Sequence, residues 1–277
     1  MSPARAPIPE QVGLLYDKLT DAEVLHFGYW ANPDDDTPVE IAATRLTDLV
    51  AEKLSISPGQ SVLDVGCGIG TPAVRVAKTT GTHVTGITIS QEQVKRATAH
   101  AAEMAVSDRV VFRHADAMDL PFGPESFDAA FALESIIHMD RAKALAGIRE
   151  VLKPGGHLVL TDMFQRSPAP EGSPSLMAQM VDIWMMSDPV RIDDYPALLA
   201  DAGLELVELT DVTETVLRKT LRLVADKLRE DDRGLVPDEI IARLPEEEQA
   251  RLMAFPDELA ASEELGCLLL VARRPEA

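Results

Sequence analysis

Two cysteines in 277 residues, Cys67 and Cys267, stand far apart and form no C-x-x-C pair. That scarcity excludes a disulfide framework and a cysteine-based zinc site. Cationic residues are also in deficit: 26 Lys and Arg against 46 Asp and Glu leave a net charge of −20. With no basic run anywhere, nucleic acid is excluded as a partner, because phosphate backbones are bound chiefly by clustered cations. No apolar run approaches the length of a membrane span, and residues 1–10 carry three prolines in place of an apolar leader segment. The expected setting is therefore cytoplasmic, away from membranes, as a monomer or homodimer. His83, His100, His114 and His157 are scattered without H-x-x-x-H spacing, so no metal is expected.

What the chain does have is a 46% hydrophobic composition, enough for a full core, and a regular alternation of strand and helix signals. Strands are expected near 61–66, 82–88, 109–114, 127–133, 156–162, 204–212 and 265–273, with helices near 71–80, 91–105, 140–152 and 193–202. Alternation of this kind implies an α/β fold with a parallel sheet and right-handed crossovers. The turn after the first strand is Asp64-Val65-Gly66-Cys67-Gly68-Ile69-Gly70, followed by Thr71-Pro72 as a helix start, with Thr71 as the expected N-cap. A Gly-rich turn at a strand's carboxyl edge lets a ligand touch bare backbone. The dinucleotide fingerprint needs a third glycine where this chain has Thr71.

The order D-x-G-x-G-x-G resembles motif I of the class I S-adenosylmethionine (SAM) methyltransferases. That resemblance implies a Rossmann-like seven-stranded sheet with helices on both faces and the last strand antiparallel. It also implies SAM as cofactor, with Asp64 near its methionine part and Gly66, Cys67, Gly68 and Gly70 against it. The second strand departs from the family: Thr88 stands where an Asp or Glu usually grips the ribose. The run Gly-Ile-Thr-Ile-Ser with Gln93 resembles a natural-product and sterol-type subset, in which the Gln reaches the ribose, so Thr88 and Gln93 are expected there. Ala115-Asp116-Ala117-Met118 directly follows the third strand and resembles the family's adenine loop. Asp116 would accept from the adenine amino group, with Ala117 and Met118 flanking the ring; capping of its own turn is the other role open to Asp116.

After the fourth strand the run Leu133-Glu134-Ser135-Ile136-Ile137-His138-Met139 closely resembles the rebeccamycin-type sugar O-methyltransferases and related rifamycin and mitomycin tailoring enzymes. The likeness implies methyl transfer to a hydroxyl of a small natural product, with S-adenosylhomocysteine as the other product. His138 and Asp162 both fall beyond carboxyl ends of neighbouring strands, and the resemblance makes them the pair that activates the acceptor hydroxyl. The sugar enzymes have a His-His pair where this chain has Ile137-His138. Orientation without proton transfer stays open for His138, as does mere positioning of His138 for Asp162. Leu133 and Glu134 are expected near the methionine end of SAM. Nitrogen or carbon as the methylated atom, and SAM binding without catalysis, are the alternatives.

The sequence divides into an N-terminal helical arm (1–55), a SAM-binding core (56–165) and helical lid insertions with the last two core strands (166–277). The arm ends in His26-Phe27-Gly28-Tyr29-Trp30, and resemblance implies that Tyr16, Tyr29 and Trp30 close over SAM. Met163, Met177, Met180, Trp184 and Met185 form an apolar, Met-rich stretch directly downstream of Asp162. Flexible thioethers suit a pocket for a bulky apolar acceptor, so these five are the expected substrate contacts, although such stripes more often pack into a core.

Overall fold

A computed structural model describes residues 9, 11–13, 26–32, 34–169, 175–229 and 255–276. The strands are β1 (Ser61–Val65), β2 (His83–Thr88), β3 (Val110–His114), β4 (Phe127–Leu133), β5 (Leu152–Gln165), β6 (Glu205–Asp211) and β7 (Leu265–Arg273). They form one sheet in the order β3-β2-β1-β4-β5-β7-β6. The pairs from β3 to β5 are parallel, whereas β7 runs antiparallel to both β5 and β6. The α/β expectation, the seven strands and the antiparallel last strand are all met. β5 is longer than expected because it stays paired with β7 from His157 through Gln165.

The helices are α1 (Val39–Lys53), α2 (Thr71–Thr80), α3 (Gln91–Glu103), α4 (Arg141–Val151), α5 (Leu176–Ile183), α6 (Tyr195–Asp201) and α7 (Lys219–Arg229). They cover both faces of the sheet, so strand residues alternate between two apolar cores and read as nearly continuous hydrophobic runs. Ala129, Phe131 and Leu133 of β4 join the core under α1, α2 and α3. Ala130 and Ala132 join the opposite core with Ile148 of α4 and Leu199 of α6.

Helix α2 begins one residue earlier than its sequence signals imply. Gly70 is the N-cap, in the left-handed region at φ +83, and no side chain caps the helix. Thr71 is then already helical, and it lines a cavity at the sheet edge. A side chain at Gly70 would collide with Phe112 and sit 2.8 Å from the Ala97 methyl. Gly70 therefore serves the packing of α2 on α3 and β3.

The chain leaves β1 for β2 and β3, then returns to place β4 on the other side of β1. Ligands in open α/β sheets bind at such a reversal, beyond the strands' carboxyl ends. No helix among the described residues is long and apolar enough to cross a membrane.

Candidate active site

The cavity opens at this reversal. From β1 and its turn come Asp64, Gly66, Cys67, Gly68, Ile69 and Thr71; from β2 and α3 come Thr88, Ile89 and Gln93. Asp116, Ala117 and Met118 close one side, and Leu133, Glu134, Ser135, His138 and Met139 the other. The arm covers the opening with Pro9, Val12, Gly13 and His26. Gly66 sits at φ +77, where a side chain would run into Ser135. Only glycine allows that close approach between the two turns, which the Ser135 hydroxyl locks by donating to the Val65 carbonyl.

Two buried carboxylate oxygens in this cavity, Asp64 Oδ2 and Glu134 Oε1, have no hydrogen-bond partner. Burial raises the pKa of Asp64 well above the usual carboxylate range. Burial also pushes Glu134 up to about 8, against the opposing pull of the Phe27 amide. That amide donates to Glu134 Oε2 over 2.7 Å and ties the arm to the cavity wall. Glu134 itself sits at φ +53, an uncommon left-handed position for a side chain of its size. Uncompensated carboxylates in a shared cavity call for a cation.

Around the β2 edge, the Thr88 hydroxyl donates to Gln93 Oε1 over 2.6 Å, and Ser90 Oγ accepts from the Gln93 amide over 2.9 Å as the N-cap of α3. Gln93 is thereby fixed with its Oε1 occupied and its Nε2 as the donor side. Asp116 Oδ1 accepts from the Met118 amide over 2.9 Å, so Asp116 both caps its own turn and lines the cavity.

His138 ends a short 3-10 turn, Ile136–His138, beyond β4. Its Nδ1 donates to the Met185 carbonyl over 3.1 Å. Burial lowers its pKa below the ordinary imidazole value; the Met185 contact and the Asp162 charge oppose this, and the Arg141 charge adds to it. The imidazole is therefore neutral near physiological pH.

A family model described as "Methyltransferase domain" matches residues 62–156. The 27-O-demethylrifamycin SV methyltransferase of Amycolatopsis mediterranei is 39% identical over 278 residues, covering 98% of this chain and 99% of that protein. The chain belongs to the class I SAM-dependent methyltransferases. Similar, too, is the O-methyltransferase rstn1 of Aspergillus nomiae, 39% identical over 216 residues that cover 76% of this chain and 95% of that one. Among solved structures, the [4+2]-cyclase SpnF has a TM-score of 0.80 and 34% identity, with 98% of each chain covered. This methyltransferase is thus a SAM-dependent enzyme of the O-methyltransferase type. The orphaned Asp64 and Glu134 oxygens and the bare Gly66 turn fit SAM, which brings an ammonium and a sulfonium to the site.

Several expected residues lie elsewhere in the methyltransferase. Asp162 does not reach the cavity wall and is not hydrogen-bonded to His138. Its oxygens accept from Arg141 Nε and Nη2 at 2.6 and 3.0 Å, from the Tyr195 hydroxyl at 2.6 Å and from the Met163 amide at 2.8 Å. A carboxylate with four donors, fully buried, has no lone pair to offer an acceptor hydroxyl. Trp30 is fully buried, with its indole N–H donating to the Thr37 carbonyl over 2.8 Å. Tyr29 packs against the core, and among the described arm residues Pro9, Val12, Gly13 and His26 line the cavity. Tyr16 lies outside the described residues.

Gly70 is held by helix packing and does not line the cavity. Met163, Met177 and Met180 are buried in the core, Trp184 packs against it, and Met185 contributes its backbone carbonyl to His138. The apolar side chains Met177 and Met180 of α5 belong to the hydrophobic core. His26, Ser135, Arg141, Ser187 and Tyr195 went unassigned in the sequence. His26 and Ser135 had a signal there, as members of the arm motif and of the run after the fourth strand.

Proposed function

We propose that this methyltransferase transfers the SAM methyl group to a hydroxyl of a small natural product, with His138 as the general base. One observation carries the reading: the His138 imidazole lines the cavity beyond the end of β4, with its Nδ1 on the Met185 carbonyl and the orphaned Glu134 carboxyl in the same wall. Bound SAM supplies a methyl carbon made electrophilic by its sulfonium. The chain must hold an acceptor oxygen about 3–3.5 Å from that carbon and assist loss of its proton. With Nδ1 donating to Met185, the lone pair of His138 is on Nε2, and that nitrogen takes the proton.

Asp64 Oδ2 and Glu134 Oε1 receive the cationic methionine part, beside Gly66, Cys67, Gly68 and Leu133. The Thr88–Gln93 pair holds the ribose, and Asp116, Ala117 and Met118 hold the adenine. Support for the acceptor class comes from the relatives, one of them named for methylating 27-O-demethylrifamycin SV. A second reading, cyclisation of a bound acceptor without methyl transfer, is favoured by the full-length similarity to SpnF.

A mass-spectrometric screen with SAM and a panel of hydroxylated macrocycles, glycosides and phenols separates the two. Gain of one methylene, placed on oxygen by fragmentation, is the expected result. An isomer of unchanged mass would establish cyclisation, and a methyl group on nitrogen or carbon would remove the O-methylation reading.

A further inference from the structure

The Met185 carbonyl that receives His138 Nδ1–H is set by an unusual backbone. Met185 follows the end of α5 in the left-handed region, at φ +50. That position ordinarily goes to glycine, and a side chain there is strained. The segment is pinned in place next door. Ser187 donates both its amide, over 2.7 Å, and its hydroxyl, over 2.9 Å, to the Ile137 carbonyl in the turn that ends at His138. Arg141 Nη1 in turn donates to Ser187 Oγ over 2.5 Å and to the Asp188 carbonyl over 3.0 Å. The far side of the same guanidinium is held by both oxygens of Asp162.

From these contacts we infer that Asp162, Arg141 and Ser187 are positioning residues that impose the Nδ1–H tautomer on His138, by holding the Met185 carbonyl against the ring. A carbonyl only accepts, so Nδ1 must carry the hydrogen and Nε2 the lone pair. In water, imidazole favours the opposite tautomer, with hydrogen on Nε2, which is useless as a base at that nitrogen. Arg141 suits this task because its planar fork serves two directions at once: Nε and Nη2 toward Asp162, Nη1 toward Ser187 and Asp188. The inference rests on the reading of His138 as the base, yet the tautomer is observable without turnover.

The test is long-range ¹H–¹⁵N spectroscopy of the full-length protein, ring-labelled at histidine and saturated with S-adenosylhomocysteine, at a pH where His138 is neutral. Disappearance of one signal set in His138→Gln identifies the residue. The wild-type protein is expected to show the Nδ1–H form. Ser187→Ala and Arg141→Lys are expected to shift His138 toward a mixture, with Ser187→Thr restoring the wild-type signal. Affinity for S-adenosylhomocysteine should stay within about twofold in all three.

A wild-type His138 carrying its hydrogen on Nε2 overturns the inference. So does an unchanged Nδ1–H signal in both Ser187→Ala and Arg141→Lys. If the tautomers behave as expected but His138→Gln turns over the screened acceptor at the wild-type rate, the base assignment fails and the positioning device stands.

Discussion

Thr88 donates its hydroxyl hydrogen to Gln93 Oε1 over 2.6 Å, inside the cavity where the family usually places a carboxylate. One neutral side chain thereby orients another and leaves the amide Nε2 as the donor side, which the proposed function assigns to the ribose. Thr88→Val should weaken S-adenosylhomocysteine binding about fivefold, and Gln93→Leu about tenfold or more, the scale of one buried hydrogen bond. Titration calorimetry measures both. Wild-type affinity in Gln93→Leu would move the ribose elsewhere.

Glu134 links binding to protonation. Its pKa is raised from 4.5 to about 8, so the free protein holds this carboxyl protonated near neutral pH. A ligand ammonium beside it would lower that pKa and expel the proton. Calorimetry in two buffers of different ionisation enthalpy should show proton release on S-adenosylhomocysteine binding, diminished in Glu134→Gln. The stability of the unliganded protein has a matching sign. A folded pKa above the unfolded one means that the folded state binds more protons, so stability falls as pH rises from 4.5 towards about 8. Glu134→Gln should flatten that slope in thermal melts.

Asp162 and His138 should differ sharply in what their loss costs in stability. Asp162→Ala leaves the buried Arg141 guanidinium without its counter-charge, a loss of about 3–5 kcal/mol. His138→Gln keeps a polar group at the cavity wall and should cost less than about 1 kcal/mol. Urea denaturation reads both. An Asp162→Ala protein as stable as wild type, but inactive, would return Asp162 to the chemistry.

The pH profile of turnover should report the buried imidazole. Burial lowers the His138 pKa from 6.5, and only the neutral form takes a proton. The acid limb of turnover is therefore expected below 6.5, and His138→Gln should lower the rate at the plateau by about 10²–10⁴-fold. An acid limb above that value in the wild-type enzyme would assign the proton transfer to a different group.

Much of the cavity's lining is legible in the sequence. Asp64, Gly66, Thr88, Asp116, Glu134 and His138 all stand at or just beyond strand ends, and a parallel α/β sheet brings those ends to one edge. β4 and β7 fall at the expected residues because their apolar runs are short and bounded by breaking or charged positions. What misled was residue type without partner. Trp30 and the methionines of α5 look like ligand contacts by chemistry, but each meets an apolar surface that buries it.

The sequence by itself determined the alternation of strands and helices, the glycine turn and the sheet edge at which the cavity opens. These follow from local spacing and from backbone conformations that few residues adopt. Tertiary structure alone decided the network that runs from Asp162 through Arg141 to Ser187. Arg141, Ser187 and Tyr195 come from three separate segments after β4, and nothing in their local sequence marks them as neighbours. Their meeting is selected by the cost of burying an unpaired charge, and that cost arises only once the chain has packed around them.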